Sequence, residues 1–505
     1  MKRLRRQILG LLGLAAGMAP AWAARDFTPQ AGTWVIDAEL DGKPGRGLAI
    51  DVQGNTVVLQ VYGYEADGAA TFYMASGQME GDSAVLPLQK FKGGTALGGA
   101  AQDAELAENV GNVRLQFANG VQGSIQLPGE PAYAMRRFIF NPRGDQSVSR
   151  RQRFALAELD AERRPVGLWN LEVYGAGRLT LERQTPAEYW YFVCPPANEH
   201  GTVECSGEMP AETSTKKARL SYQQHLYDLS ALMEVDGEPA RRMTGAYLDT
   251  STPRTMPSSG DQIWFSGFQG GYGAQRIPEP GTWIVRDEKT GKPGRGFSLD
   301  VQFDQALLQI FNYRPDGRAT FHMGSGAFAN SKAQIALKTY QGGRYLGGPW
   351  QSASEASDAG LTTISFDRID SHKNMNEGSI RLPQEPLRVI ERFELQPTRP
   401  DLASLMGDWI FTTSNNGQKQ FVVALNVIKG NVVSNAAGDF QCEFAQLLTD
   451  TVVDCNTMPA DAERALRLSF PFSYQGRSMN GYNNIAFRVR DRFGNLSGVG
   501  PLIKP

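Results

Sequence analysis

A chain of 505 residues with 51 Lys and Arg against 53 Asp and Glu carries a formal net charge of −2. This balance excludes the basic field that recruits nucleic acid and the acidic block that gathers cations or basic partners. The length predicts three or four domains of about 100 to 200 residues each, and 55 glycines with 28 prolines supply the turns that many short strands require.

Residues Met1 to Ala23 have a basic start (Lys2, Arg3, Arg5, Arg6), an apolar run from Ile8 to Ala16, and Ala21-Trp22-Ala23 as a small-x-small cleavage site. These are the parts of a secretory signal peptide (1–23), here in a bacterial, arginine-rich form. The run is short for a membrane span, and no later segment reaches the roughly 20 apolar residues that one needs. The mature chain is therefore expected to be exported, in the periplasm or outside the cell, with no transmembrane segment.

The first module, A1 (24–142), contains Gly32-Thr33-Trp34, Gly42-Lys43-Pro44-Gly45-Arg46-Gly47 and Asp51-Val52-Gln53. The same elements return at unchanged spacing in A2 (276–397) as Gly281-Thr282-Trp283, Gly291 to Gly296 and Asp300-Val301-Gln302. Thr71 to Gly77 matches Thr320 to Gly326, and Leu97-Gly98-Gly99 matches Leu346-Gly347-Gly348. A fixed-period repeat of this kind marks a duplicated structural unit. Leu48 to Val52, Val57 to Tyr64, Ala70 to Ser76, Val113 to Phe117 and Gly123 to Leu127 are short apolar runs between turn residues, which predicts strands. Asp67-Gly68 and Asp316-Gly317 have the chemistry of hairpin turns.

A polar connector (143–165) follows A1, with a hint of helix over Phe154 to Arg164; it leads to B1 (166–275), and A2 is followed by B2 (398–505). Each B unit opens on Gly-x-Trp (Trp169, Trp409) and holds one cysteine pair, Cys194 with Cys205 and Cys442 with Cys455. Two local disulfides are expected in an oxidising compartment. The scattered histidines His200, His225, His322 and His372 lack metal-ligand spacing, so no metal or cofactor is expected. The fold class predicted is all-β: tandem small antiparallel barrels or sandwiches in A-B-A-B order.

Candidate ligand-binding residues fall into two groups. Lys43 and Arg46, with Lys292 and Arg295, sit in Gly-rich loops whose N–H groups suit an anion, or that serve as tight inter-strand turns. Tyr62, Tyr64 and Tyr73, with Phe311, Tyr313 and His322, lie around one hairpin and offer rings for a sugar or an apolar ligand, or for the core. Trp34, Trp169, Trp283 and Trp409 are expected to close barrel ends. No Gly-x-Ser-x-Gly or His-Glu-x-x-His occurs. Arg143-Gly144-Asp145 and the basic run Arg150 to Arg153 are too short and isolated to assign a partner.

The Gly-x-Trp opening, then Gly-Arg-Gly-(Leu/Phe)-x-(Ile/Leu)-Asp-Val-Gln and a Tyr-x-x-Asp-Gly hairpin, resembles a repeat of exported proteobacterial proteins. That resemblance brings no activity with it. Gly-x-Trp on an opening strand is also similar to lipocalin-like and avidin-like barrels, with Arg136 or Arg137 and Arg392 in the place of a closing arginine. The expected role is a non-enzymatic binding or interaction protein of the bacterial envelope or secretome, for a glycan, a small ligand or an envelope partner. The alternatives are a glycan hydrolase built on the repeated carboxylates Asp51 with Asp300 or Asp67 with Asp316, and a spacer without ligand.

Overall fold

The computed structural model describes residues 24–140, 151–174, 177–184, 186–198, 201–209, 215–251, 277–366, 376–395, 402–413, 419–447, 450–457, 467–472, 477–479 and 485–500. Residues 1–23, expected from sequence to be a signal peptide, lie outside the described residues, as do Arg143 to Asp145, Arg150, His200 and His372. Among the described residues the chain is all β apart from 3-10 turns at Asp37–Glu39, Arg286–Glu288 and Leu402–Leu405.

In A1, β1 (Gly32–Ile36), β2 (Gly47–Gln53), β3 (Thr56–Tyr64), β4 (Ala70–Gln78), β5 (Ser83–Lys92), β6 (Glu105–Phe117), β7 (Gln122–Gln126) and β8 (Ala132–Arg137) follow one another around a closed antiparallel barrel. β8 returns to pair with β1. B1 is a second closed barrel, of β9 (Arg151–Leu159), β10 (Pro165–Tyr174), β11 (Arg178–Gln184), β12 (Ala187–Val193), β13 (Thr202–Met209), β14 (Lys216–His225), β15 (Asp228–Val235) and β16 (Arg241–Ser251). A2 repeats the order of A1 in β17 (Gly281–Val285), β18 (Gly296–Gln302), β19 (Gln305–Tyr313), β20 (Ala319–Ala329), β21 (Lys332–Gln341), β22 (Ser354–Ser365), β23 (Glu377–Arg381) and β24 (Leu387–Arg392).

B2 is built as two sheets. One has the order β26 (Lys419–Leu425), β25 (Gly407–Thr413), β33 (Ile485–Asp491), β32 (Arg477–Met479). The other runs β27 (Val427–Lys429), β28 (Val432–Ser434), β29 (Phe440–Leu447), β30 (Asp450–Thr457), β31 (Arg467–Pro471).

Alternation makes the barrels. In β5, Ala84, Leu86 and Leu88 are buried while Val85 between them is 55% exposed, the period-2 pattern of a strand with one face in the core and one in water. Trp34, Leu48, Leu59, Leu86 and Phe117 fill the A1 interior, and Trp283, Leu299, Leu308 and Phe366 fill that of A2. Eight strands leave an interior just wide enough for such packing. The tryptophans stand where Gly-x-Trp places them: Trp34, Trp283 and Trp409 donate Nε1–H to the carbonyls of Gln30, Glu279 and Leu405 at 2.9, 3.0 and 2.7 Å.

Phe154 to Leu159 is strand, where a helical turn is expected from sequence, and this part of the expected connector closes B1 between β16 and β10. Phe154 and Leu156 face the barrel core, while Ala157 packs outward with Ala246, Ile410, Phe487, Val489 and Leu496 against B2. A strand covered on both faces reads as a continuous apolar run, and Ala, Leu and Glu give it a helical composition.

The cysteines form both expected disulfides, Cys194–Cys205 and Cys442–Cys455. Cys442 and Cys455 are directly opposite on β29 and β30.

Candidate functional site

The two A barrels pack on each other through the outer faces of β2 to β4 and β18 to β20. In β3, Val57, Leu59 and Val61 point into the barrel, so Gln60, Tyr62 and Tyr64 point out. They are nevertheless buried, because A2 covers them. Tyr62 and Tyr64 meet Phe321 edge-on at 5.5 and 5.9 Å, and Phe72 meets Phe311 and Tyr313 at 5.3 and 5.7 Å. The rings proposed from sequence for a ligand thus form the apolar centre of a seam between barrels. Tyr73 points the other way, into the A1 core. Its counterpart His322 is buried with Nδ1 at 3.1 Å from Asn312 Oδ1, and burial pushes its imidazole down to about 4.

Reciprocal ion pairs flank the rings. Arg392 of A2 grips Asp51 of A1 at 2.5 and 2.6 Å, and Asp51 also accepts from Thr282 N–H at 2.9 Å. Arg137 of A1 donates to Asp300 of A2 at 2.8 Å, and Asp300 accepts from Thr33 N–H at 3.0 Å. Arg137 and Arg392, two of the arginines matched to a lipocalin-type closing residue, therefore join one barrel to the other, while Arg136 pairs with Asp37 of its own barrel. The same contact explains the first residue of Gly-x-Trp: Gly32 and Gly281 have φ of +121° and +126°, and a Cβ on either would stand 2.4 Å from the Arg137 or Arg392 guanidinium.

The Gly-rich loops are anchored in the same way. Arg46 is buried between Glu39 and Glu130, with contacts of 3.0 Å to Glu39 and of 2.7 and 2.9 Å to Glu130. Burial alone would pull its guanidinium down, but the hydrogen bonds to Glu130 and Glu39 hold it above its ordinary value. Burial likewise pushes Glu130 up, while Arg46 and the Gly347 N–H bring it below the usual carboxylate range. Arg344 of A2 completes the cluster at 2.9 Å from Glu39. In the mirror-image cluster Arg295 holds Glu288 at 2.8 Å and Glu385 at 2.5 Å, and Glu385 accepts from Gly98 N–H at 2.9 Å. Arg46 and Arg295 are thus committed to internal ion pairs. Lys43 stays exposed, and Lys292, 69% exposed, lies 3.1 Å from Asp103.

Where the seam reaches solvent, the tips of the β3–β4 and β19–β20 hairpins border a cleft of about 760 Å³. Gly93 N–H donates to Gly317 O and Gly342 N–H to Gly68 O, both at 2.8 Å, so each tip is tied to the opposite barrel. Lys90, Lys92, Asp103 and Glu105 of A1 line the cleft with Arg314 and Arg318 of A2. Lys90 pairs with Glu65 at 2.5 Å. Arg318 bridges the two turn carboxylates, at 3.0 Å from Asp316 and 3.4 Å from Asp67. The backbone and side-chain bonds of Arg318 hold Asp316 below its ordinary value. The cleft is lined by carboxylates, lysines, arginines and the Gln102 amide, and no His, Ser, Thr, Cys or Tyr lines it.

Lys90, Lys92, Asp103 and Glu105 escape a reading based on what repeats. Their counterparts in A2 are Thr339, Gln341, Ser352 and Ser354. The signal that could have found them is the divergence of charge between otherwise matching copies.

The fold and seam define a tandem β-barrel protein in which two like barrels form one paired unit. No known protein family and no curated protein matches the chain.

Proposed function

We propose that this is an exported, non-enzymatic binding protein, with the paired A barrels as a rigid scaffold and the charged cleft between the hairpin tips as a site for a polar ligand. One observation carries the reading: both repeated carboxylate pairs are occupied by arginine. Asp51 and Asp300 are buried against Arg392 and Arg137. Asp67 and Asp316 share Arg318. Glycoside hydrolysis needs one carboxyl with a raised pKa to protonate the leaving group, and Asp316 is shifted the opposite way. Two disulfides suit an oxidising compartment. No helix among the described residues is long and apolar enough to cross a membrane.

The test is the melting temperature of the mature protein across charged ligands: acidic oligosaccharides, amino acids and short peptides. A ligand at 100 times its Kd adds about 2.7 kcal/mol, and Lys90→Thr with Lys92→Gln, Asp103→Ser and Glu105→Ser, the residues of A2, should abolish that shift. Release of reducing ends from a glycan, lost in Asp67→Asn with Asp316→Asn, would replace this reading by a hydrolase.

A further inference from the structure

The opposite flank of the seam carries a second feature. The A2 loop that follows β21 brings Tyr345 and Trp350 to the surface at 37% and 42% exposure. Trp350 lies over the Gly-rich loop of A1, its ring edge 3.8 Å from where a Cβ on Gly45 would stand. The Tyr345 ring packs on Gly348, where a Cβ would meet it at 2.6 Å.

Both rings are held on a rigid base. Gly347 N–H donates to Glu130 at 2.8 Å, Arg344 to Gly348 O at 2.9 Å, and Ala353 N–H to Pro44 O at 2.7 Å. Polar groups stand on the Trp350 side: Ser352 hydrogen-bonds Asp41, Lys43 N–H donates to Asp41, and Asp41, Lys43 and Gln351 are exposed. The rest of the molecule supplies its own control. The counterparts of Tyr345 and Trp350 in A1 are Ala96 and Ala101, and Gly294, the counterpart of Gly45, has nothing within 4 Å of its Cβ position.

We propose that Tyr345 and Trp350, with Asp41, Lys43 and Gln351 at their edge, form a saccharide-binding platform that takes a β-linked pyranose chain. Such a sugar, with equatorial hydroxyls, has a flat C–H face to lie on an aromatic ring and a rim of hydroxyls that need donors and acceptors. The platform offers both. Aromatic side chains contribute large apolar contact at small entropic cost, and a few placed polar groups fix orientation. The area also favours a sugar. Two partly exposed rings offer on the order of 150 Å², well below the roughly 800 Å² per partner of a stable protein interface. The proposal rests on the reading of this chain as a binding protein but uses a surface separate from the charged cleft.

The experiment is electrophoresis of the mature protein through native gels containing soluble β-1,4-glucan, β-1,3-glucan, xylan or mannan. Retardation of the wild type by at least one is expected. Tyr345→Ala with Trp350→Ala, which installs the residues of A1, should weaken it about tenfold or more, while the Thr339-like cleft variant (K90T, K92Q, D103S, E105S) should leave it unchanged. No retardation of the wild type, or retardation that survives loss of both rings, overturns the platform. Retardation lost only in the cleft variant overturns it too, yet keeps the binding reading and moves the sugar to the cleft. Sedimentation showing a dimer that needs Trp350, without retardation, assigns the face to a second copy of the chain.

Discussion

The two flanks of the seam between the A barrels are built from matching elements of A1 and A2 but differ in chemistry. One pairs Lys292 with Asp103, in a loop that has Ala96 and Ala101; the other lays Trp350 over Gly45 and bonds Ser352 to Asp41, in a loop that has Tyr345. Between the flanks the ion pairs repeat: Asp51 with Arg392 matches Asp300 with Arg137, and Arg46 matches Arg295. Residues that match in both copies hold the barrels together. Residues that differ at the solvent edge change what the surface can bind at little cost in stability, while Tyr62 and Phe311 at the seam, and Tyr73 and His322 inside the barrels, differ in buried places.

The largest effects should come from breaking that symmetry in the buried ion pairs. Asp51→Ala strands a buried arginine and should cost about 3–5 kcal/mol, and Asp300→Ala should cost the same within about 1 kcal/mol if the flanks are equivalent. Urea unfolding followed by tryptophan fluorescence checks this, and clearly unequal losses would break the comparison.

A smaller effect is expected where the copies differ inside the barrel. His322 titrates in the fold at about 4, below its ordinary 6.5, so the unfolded chain takes up the proton first. Its contribution is fully present above about pH 6.5, is lost as pH falls towards 4, and changes no further below that. The slope is at most about 1.4 kcal/mol per pH unit. His322→Tyr, which installs the residue of A1, should reduce the difference between pH 4 and 6.5 in melting curves and leave the part due to His225, which burial also pushes down to about 4.

The smallest effect concerns a feature that both copies share. The hydroxyls of Tyr64 and Tyr313 are buried at the seam with no hydrogen-bond partner among the described residues. Tyr64→Phe and Tyr313→Phe should each be neutral or stabilise by up to about 1 kcal/mol, as calorimetry can show. A loss from one and not the other would reveal a partner on a single flank.

How much of this was legible depended on the range of the interaction. Gly-x-Trp, the Asp-Gly turns and the apolar runs of β2, β3, β4, β6 and β7 were readable because a turn or a short strand is set by its own residues, while β5 was not singled out. The ring residues Tyr62, Tyr64, Phe311 and Tyr313 were correctly placed around one hairpin, but their burial depends on a barrel that begins more than 200 residues away. Arg46 and Arg295 read as anion ligands because Glu130 and Glu385, which neutralise them, lie far along the chain. Strand β9 was misread for the same reason, since its outer face is covered by B2.

By itself the sequence determined the repeat, the all-β class, the strand runs of the A modules and the cysteine pairs, because local turn chemistry, period-2 alternation and short loop closure act between near neighbours. Only the tertiary structure decided that outward-facing rings and charges are consumed in a seam between barrels, and that a charged cleft and an aromatic platform are left at its two edges. Burial and ion pairing there join residues hundreds of positions apart, and no local pattern records which face a distant barrel will cover.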